Sequence, residues 1–346
     1  MNKSIFYIPC YPKKTDLYKI IEEIKNSVTF CDKNNFKEAY FGEHLADKYE
    51  KITSSLNIIS AISTITKKIK LASLTTNLTF YHPSVLASHL SLIDNLCKGR
   101  LVLGIGSGSN ISDVESLNLI KDDNRSKMYE ILSLIKKLLK SKNLVNLKSK
   151  NFKISTKKRG NKSLGLGFYN PLYRERNNLE LVLPALNPNS NNVKIASKNS
   201  WSIVISNFCS DDVVKNHIDN YLFHSPLSKK NALKKIQLAR FIHVSDDKKN
   251  LDNLFKKKSP HMGVLNTIHK KLKYFKRLDC FGNLKNMSVN KIAKELFIYG
   301  NKKEVSNEMR SMTRKYGNFG SLVYVHVPNT GNKFFDESLR LFSQCK

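Results

Sequence analysis

Acidic residues are scarce in this chain. Its 346 residues hold 28 Asp and Glu against 59 Lys and Arg, a formal charge of +31. Such an excess would suit an anionic partner, either nucleic acid or a membrane surface. The cations are not gathered in one tail, however. They fall in short runs, among them Lys67-Lys68, Lys136-Lys137, Lys157-Lys158-Arg159 and Lys270-Lys271, spread over helix faces and loops. A general bias toward Lys and Asn accounts for the charge, and no specific nucleic-acid site is expected. No stretch approaches the roughly 20 apolar residues of a membrane span. No C-x-x-C pair occurs among Cys10, Cys31, Cys97, Cys209, Cys280 and Cys345, which argues against a zinc site or a disulfide framework and fits a reducing cytoplasm. A strand-like run starts by residue 4, so no secretory leader is expected. Neither an internal repeat nor a second domain is visible, and one domain over 1–346 is expected.

What is present is an alternation of strand and helix signals. Its clearest stretch runs over residues 69–109. An apolar run at 69–76 is followed by Pro83, a favoured first helical residue, and then by Val85, Leu86, Leu90, Ile93 and Leu96 at helical spacing. Lys98-Gly99 stops that helix. A strand over 100–105 ends in Gly104-Ile105-Gly106-Ser107-Gly108-Ser109. Two strands joined by such a helix form a parallel βαβ unit. Further strands are expected at 4–9, 37–42, 179–185, 201–206, 238–244 and 322–327. Helices are expected after Thr15 or Asp16, over 52–65 and 125–139, from Asn301 to Tyr316, and over 333–343. Residues 140–176 read as an excursion from the scaffold. Residues 256–290 read as a basic, irregular segment long enough to serve as a lid. Eight strands with intervening helices give an α/β fold, a (β/α)8 barrel. A doubly wound sheet is the alternative.

In such barrels the chemistry lies in the loops after the strands. Those positions hold Glu43 and His44, residues 75–77, residues 106–109, residues 187–190, Ser206-Asn207, His243 and His326. The glycine loop lacks both the third glycine of a dinucleotide fingerprint and a P-loop lysine. Its exposed amides still suit an anion. Arg125 opens the next helix, within reach of a phosphate at the barrel mouth. His44 can exchange a proton near pH 7. His82, before Pro83, is expected to cap or pack. No third ligand accompanies Glu43 and His44 at metal-binding spacing, so no metal is expected.

Together these residues resemble the bacterial luciferase-like flavin-dependent monooxygenase family. The resemblance rests on Glu43-His44 after the second strand, and on His82-Pro83 leading to Ile93-Asp94-x-Leu96-x-Lys98-Gly99-Arg100. It rests also on Gly104-Ile105-x-x-Gly108 and on Tyr299-Gly300-Asn301-Lys302-Lys303-Glu304-Val305. It implies a (β/α)8 barrel, usually dimeric with itself or a related chain, that binds reduced FMN supplied by a flavin reductase. O2 would add to the flavin as a hydroperoxide that oxygenates a small organic substrate. By position, His44 matches the catalytic histidine and Arg125 an arginine that holds the FMN phosphate. Thr75 follows the site of a non-prolyl cis peptide beneath the flavin ring, and Asn189 and Ser190 fall near the phosphate loop. Ser107, beside Gly108 in the glycine loop, replaces an arginine of the luciferase branch, Leu45 replaces a histidine, and Pro188 replaces a common acid. Two alternatives remain on the same scaffold, a deazaflavin-dependent oxidoreductase and a catalytically silent partner subunit.

Overall fold

Strands apolar on both faces need cover on both sides, and this chain supplies it by closing its sheet. The computed structural model describes residues 1–11, 16–120, 123–327 and 334–346. Eight strands line up in parallel: β1 (Asn2–Tyr7), β2 (Glu38–Phe41), β3 (Lys70–Ser73), β4 (Leu101–Gly106), β5 (Glu180–Ala185), β6 (Ser202–Ile205), β7 (Ile236–Arg240) and β8 (Ser321–His326). β1 lies between β8 and β2, and the pairing Leu71↔Leu101 joins β3 to β4 and shuts the ring. The (β/α)8 barrel read from the sequence is the architecture found.

Side chains alternate across the pleat. Tyr40, Ala72, Val102, Val182, Val204, Ala239 and Val323 belong to the inner core, whereas Leu101, Leu103, Leu181, Leu183, Ile203 and Ile205 pack outward against helices. The outer layer comprises α1 (Leu17–Lys33), α2 (Ser55–Ser63), α3 (Pro83–Leu96), α4 (Asn124–Leu139), α5 (Asn191–Lys198), α6 (Asp211–His224), α7 (Lys302–Tyr316) and α8 (Phe334–Gln344). Asp16 caps α1 by accepting from the Tyr18 amide, while Thr15 and Lys333 lie outside the described residues. His82 caps α3 through Nδ1 and meets Phe152 edge-on. Asn301 and Glu304 form a reciprocal capping box on α7, which Gly317 ends at φ +82°.

Four expectations need correction. The run at 69–76 is interrupted: β3 stops at Ser73, the Leu74–Thr75 peptide is cis, and Thr76–Asn77 resumes beside Ile105 and Gly106. The run at 238–244 is two elements, because the chain leaves the barrel after Arg240 and Ile242–Val244 pairs outside it with Ile298–Gly300. Neither run contains a glycine or proline to mark its break. The helix expected at 52–65 begins only at Ser55, where the Ser54 hydroxyl caps it. Residues 256–290 are not irregular. They carry a helix over Pro260–Tyr274, a 3-10 turn over Leu278–Leu284 and a helix over Val289–Leu296. Ser259 and Pro260 start the first of these, but interleaved lysines mask its apolar stripe.

The excursion is as expected, an outlying hairpin of Asn146–Lys148 and Lys153–Ser155. All six cysteines are free and buried.

The tightest point of the barrel is the β3–β4 seam. A Cβ at Gly104 would overlap the Ser73 carbonyl oxygen, which is backbone and cannot move aside. Gly104→Ala should therefore cost about 1–3 kcal/mol of stability. A lower urea midpoint with an unchanged m-value is the expected observation.

Candidate active site

The loops after β1 to β7 enclose a cavity of about 280 Å³ at the C-terminal end of the barrel. Phe6, Ile8, Leu74, Val204 and Ala239 form its floor and Leu186, Phe208, Ile268, Leu272 and Phe275 its apolar walls. Polar groups enter from the loops after β2, β3 and β4 with Glu43, His44, Glu50, Thr75, Asn77, Ser109 and Asn110, from the loop after β6 with Ser206 and Asn207, and from Lys271 and Arg277. A mostly apolar cleft with a few converging polar groups is the usual form of a small-molecule site.

Glu43 is a buried anchor. Its carboxylate accepts from the Ser55 amide at 2.8 Å, the Ser55 hydroxyl at 2.7 Å and the Asn77 amide at 3.0 Å. Burial pushes its carboxyl up, and these donors draw it part of the way back. His44 follows directly and points into the cavity between two acids. Its Nδ1 lies 3.0 Å from Asp113 Oδ2, and its Nε2 lies 3.2 Å from Glu50 Oε2. Asp113 reaches it from a short helix, Ile111–Ser116, capped by Asn110, and its other oxygen accepts from the Ala46 amide. Asn110 Nδ2 is 3.4 Å from His44 Nδ1 but has the better acceptor in Asp47 at 3.2 Å. Lys271, on the helix over the mouth, donates to Glu50 at 2.6 Å and also pairs with Asp47.

Burial alone would lower the imidazole. Glu50 and Asp113 outweigh it, so the net shift is upward from 6.5 in spite of Lys271. With an acid beside each ring nitrogen, the protonated form of His44 is favoured relative to a free imidazole.

The cavity gathers His44 and Thr75. Ser107, Gly108, Arg125, Asn189 and Ser190 are not among the residues lining it. Gly108 has φ +73°, and its amide donates to Asn77 at 3.2 Å, while the Ser107 carbonyl accepts from Thr79. Arg125 is exposed on the first turn of α4. Asn189 exchanges two hydrogen bonds with Asn216, and Ser190 precedes α5. The sequence reading missed Glu50, Asp113 and Lys271. Only Asp113 left a local signal, three residues after a capping asparagine. Among the described residues no cluster of His, Cys, Asp and Glu could hold a metal, and no helix is long and apolar enough to cross a membrane.

Residues 4–161 match the family model described as luciferase-like monooxygenase. The likeness to that family covers residues 4–161, a little under half of the chain. Limonene 1,2-monooxygenase of Rhodococcus erythropolis is 31% identical over 134 residues, 39% of this chain and 35% of that protein. The chain spans about a third of the length of the first curated relatives it matches. A 2,5-diketocamphane 1,2-monooxygenase of Pseudomonas putida aligns over 91% of the chain and 90% of its own length at 22% identity. Among solved structures, the oxygenating constituent of a Pseudomonas putida 3,6-diketocamphane monooxygenase, in complex with FMN, superposes with a TM-score of 0.86. It is 17% identical and covers 99% of this chain and 97% of that one. An F420-dependent secondary alcohol dehydrogenase shares the fold at a TM-score of 0.68 and 12% identity, covering all of this chain and 98% of its own.

A group raised in the fold by its neighbours stabilises below its unfolded value, and that contribution is lost as pH rises through the folded one. Asp113→Asn should move the His44 titration midpoint, read by NMR, to lower pH. The accompanying loss of stability should be largest below pH 6.5 and should shrink in alkali.

Proposed function

We propose that this luciferase-like chain is an FMN-dependent monooxygenase that oxygenates a small apolar organic substrate with O2, drawing reduced FMN from a separate reductase. The observation that carries this reading is His44, set between Glu50 and Asp113 at the edge of an apolar-floored cavity.

The residues fit the cofactor. Gly106 has no Cβ, and one there would meet Thr75 and Asn77, so the rim stays open to a flat ring. Tyr129, one turn after Arg125 on α4, has a buried hydroxyl without a hydrogen-bond partner, a donor suited to an added anion. α5 carries no acid in its first turn, and no side chain caps its amides. Thr75, Ser107 and Gly108 would border the ring, and Arg125, Asn189 and Ser190 would hold the phosphate. Reduced FMN, when bound, supplies the electrons that activate O2.

Mechanism follows from what the chain's own groups can do. The floor and walls exclude water and accept an uncharged substrate. Asp113 fixes the ring orientation of His44 by accepting from Nδ1. Glu50, 3.2 Å from Nε2, favours the imidazolium at the edge of the cavity, where oxygen chemistry needs a proton. His44 then serves as general acid, and as base in the reverse sense. The buried free cysteines suit a reducing cytoplasm.

A deazaflavin reading draws on the F420-dependent neighbour. Anaerobic titration separates the two. Reduced FMN should bind, and Arg125→Ala should weaken it about ten- to a hundredfold while leaving riboflavin unaffected. His44→Ala should retain FMN yet lower substrate-dependent oxygen uptake about 10²–10⁴-fold. Binding of the deazaflavin in preference to FMN would select the other reading. Binding of neither would select a silent partner subunit.

α3 leaves Val85, Leu92 and Leu96 exposed at spacings of seven and four, with Leu92 62% exposed. An apolar stripe of this kind suits a second subunit, either another copy or a related chain. A relative 26% identical over 138 residues is named an alkanal monooxygenase beta chain. Leu92→Glu should shift the protein toward monomer in sedimentation.

A further inference from the structure

Two cations, Lys271 and Arg277, line the cavity mouth. Lys271, on the helix Pro260–Tyr274, forms ion pairs with two acids of the barrel rim, Asp47 and Glu50. Both belong to the segment after β2 that also carries His44, more than 220 residues away in sequence. Glu50 is 6% exposed, so its carboxylate has little water to satisfy it. One oxygen takes Lys271 at 2.6 Å and the other takes His44 at 3.2 Å. The ammonium and the imidazole thus share a single buried carboxylate. On the same helix Ile268 and Leu272 face the cavity, and Phe275 just beyond it completes that wall. A movement of this helix that opens the apolar wall must pull Lys271 from Glu50.

We propose that Lys271 is a positioning residue: it clamps the helix Pro260–Tyr274 across the cavity mouth and, through the carboxylate it shares with His44, ties the proton state of that histidine to closure of the wall. The proposal rests on the monooxygenase reading only for what the proton is used for. With the helix seated, Lys271 draws charge from Glu50 and moderates the hold on the His44 proton. With the helix raised, Glu50 is left to His44 alone and the proton is held more firmly. The proton is thereby easier to give up when the cavity is shut. The groups around His44 enter this balance: Glu43, Asp47 and Glu50 from the β2 segment, Asp113 from its short helix and Lys271 from above, with Cys10 beside Glu50, Lys271 and Asp47, its thiol pushed up by burial to about 12.

Lys271→Met keeps the length of the side chain and removes its charge, and Lys271→Arg restores the charge. Two readouts are independent of turnover. Hydrogen exchange should quicken in 260–275, on the order of tenfold, in Lys271→Met, with the barrel strands unchanged. The His44 titration midpoint should rise in the same variant. Lys271→Arg should restore both. Unchanged exchange and an unchanged midpoint in Lys271→Met would overturn the clamp, as would faster exchange with no movement of His44. If both shifts occur in a protein that consumes no oxygen with reduced FMN, the clamp stands and the monooxygenase reading falls. In an active enzyme the pH dependence of kcat/KM should shift with the His44 midpoint, which a merely structural lysine would not do.

Discussion

The buried carboxylate of Glu43 holds the rim of this barrel together. A carboxylate removed from water must find donors, and it finds them in three segments that would otherwise be free of one another. Ser55 begins α2, Asn77 lies beyond the cis peptide after β3, and Glu43 itself ends β2. Asn77 in turn accepts from the Gly108 amide, which extends the tie to the glycine loop after β4. His44 is the next residue. Its own amide donates to the Ile52 carbonyl, so its backbone is fixed on both sides and its ring has one direction to take. His44 is thus placed by hydrogen bonds other than those of its own ring.

Charge completes the arrangement. In a chain with 28 acids among 346 residues, three carboxylates meet around one histidine and one lysine. The surrounding excess of cations favours the approach of any anion, while the local acids raise the proton affinity of the imidazole. The two effects act at different distances. The first is a field summed over many exposed lysines and weakens with salt. The second is a set of partly buried contacts of about 3 Å that salt screens far less.

The barrel was legible because its strands and helices alternate at two distinct periods. Cavity-lining residues on a single loop were legible too: His44 lies in the loop after β2, next to Glu43, and Thr75 sits at the cis peptide after β3. The motif Asp94-x-Leu96-x-Lys98-Gly99-Arg100, which carried much of the resemblance, proves to be structural. Asp94 pairs with Arg176, Gly99 takes φ +78°, and the Arg100 guanidinium satisfies carbonyls of Ser63, Thr66 and Ile69. A motif can therefore mark a family without lying in its site. Glu50 and Lys271 were illegible for a plain reason. Neither has a local pattern, and the pair exists only because a helix far along the chain folds back over the second strand.

That same division runs through the comparisons. The family match covers residues 4–161, the part that supplies His44, Thr75, Ser107 and Arg125. The walls contributed by Leu186, Phe208, Ile268, Leu272 and Phe275 all lie beyond it. On the proposed reading, proton transfer and most of the cofactor contacts belong to the half that resembles its relatives. Substrate selection would belong to the residues beyond the match, where one apolar side chain can replace another at small cost. Lys271 lies beyond the match and is linked through Glu50 to the histidine within it. It couples a replaceable wall to chemistry that must stay fixed, and a charged side chain suits that task, because an ion pair keeps its geometry while the apolar residues around it change.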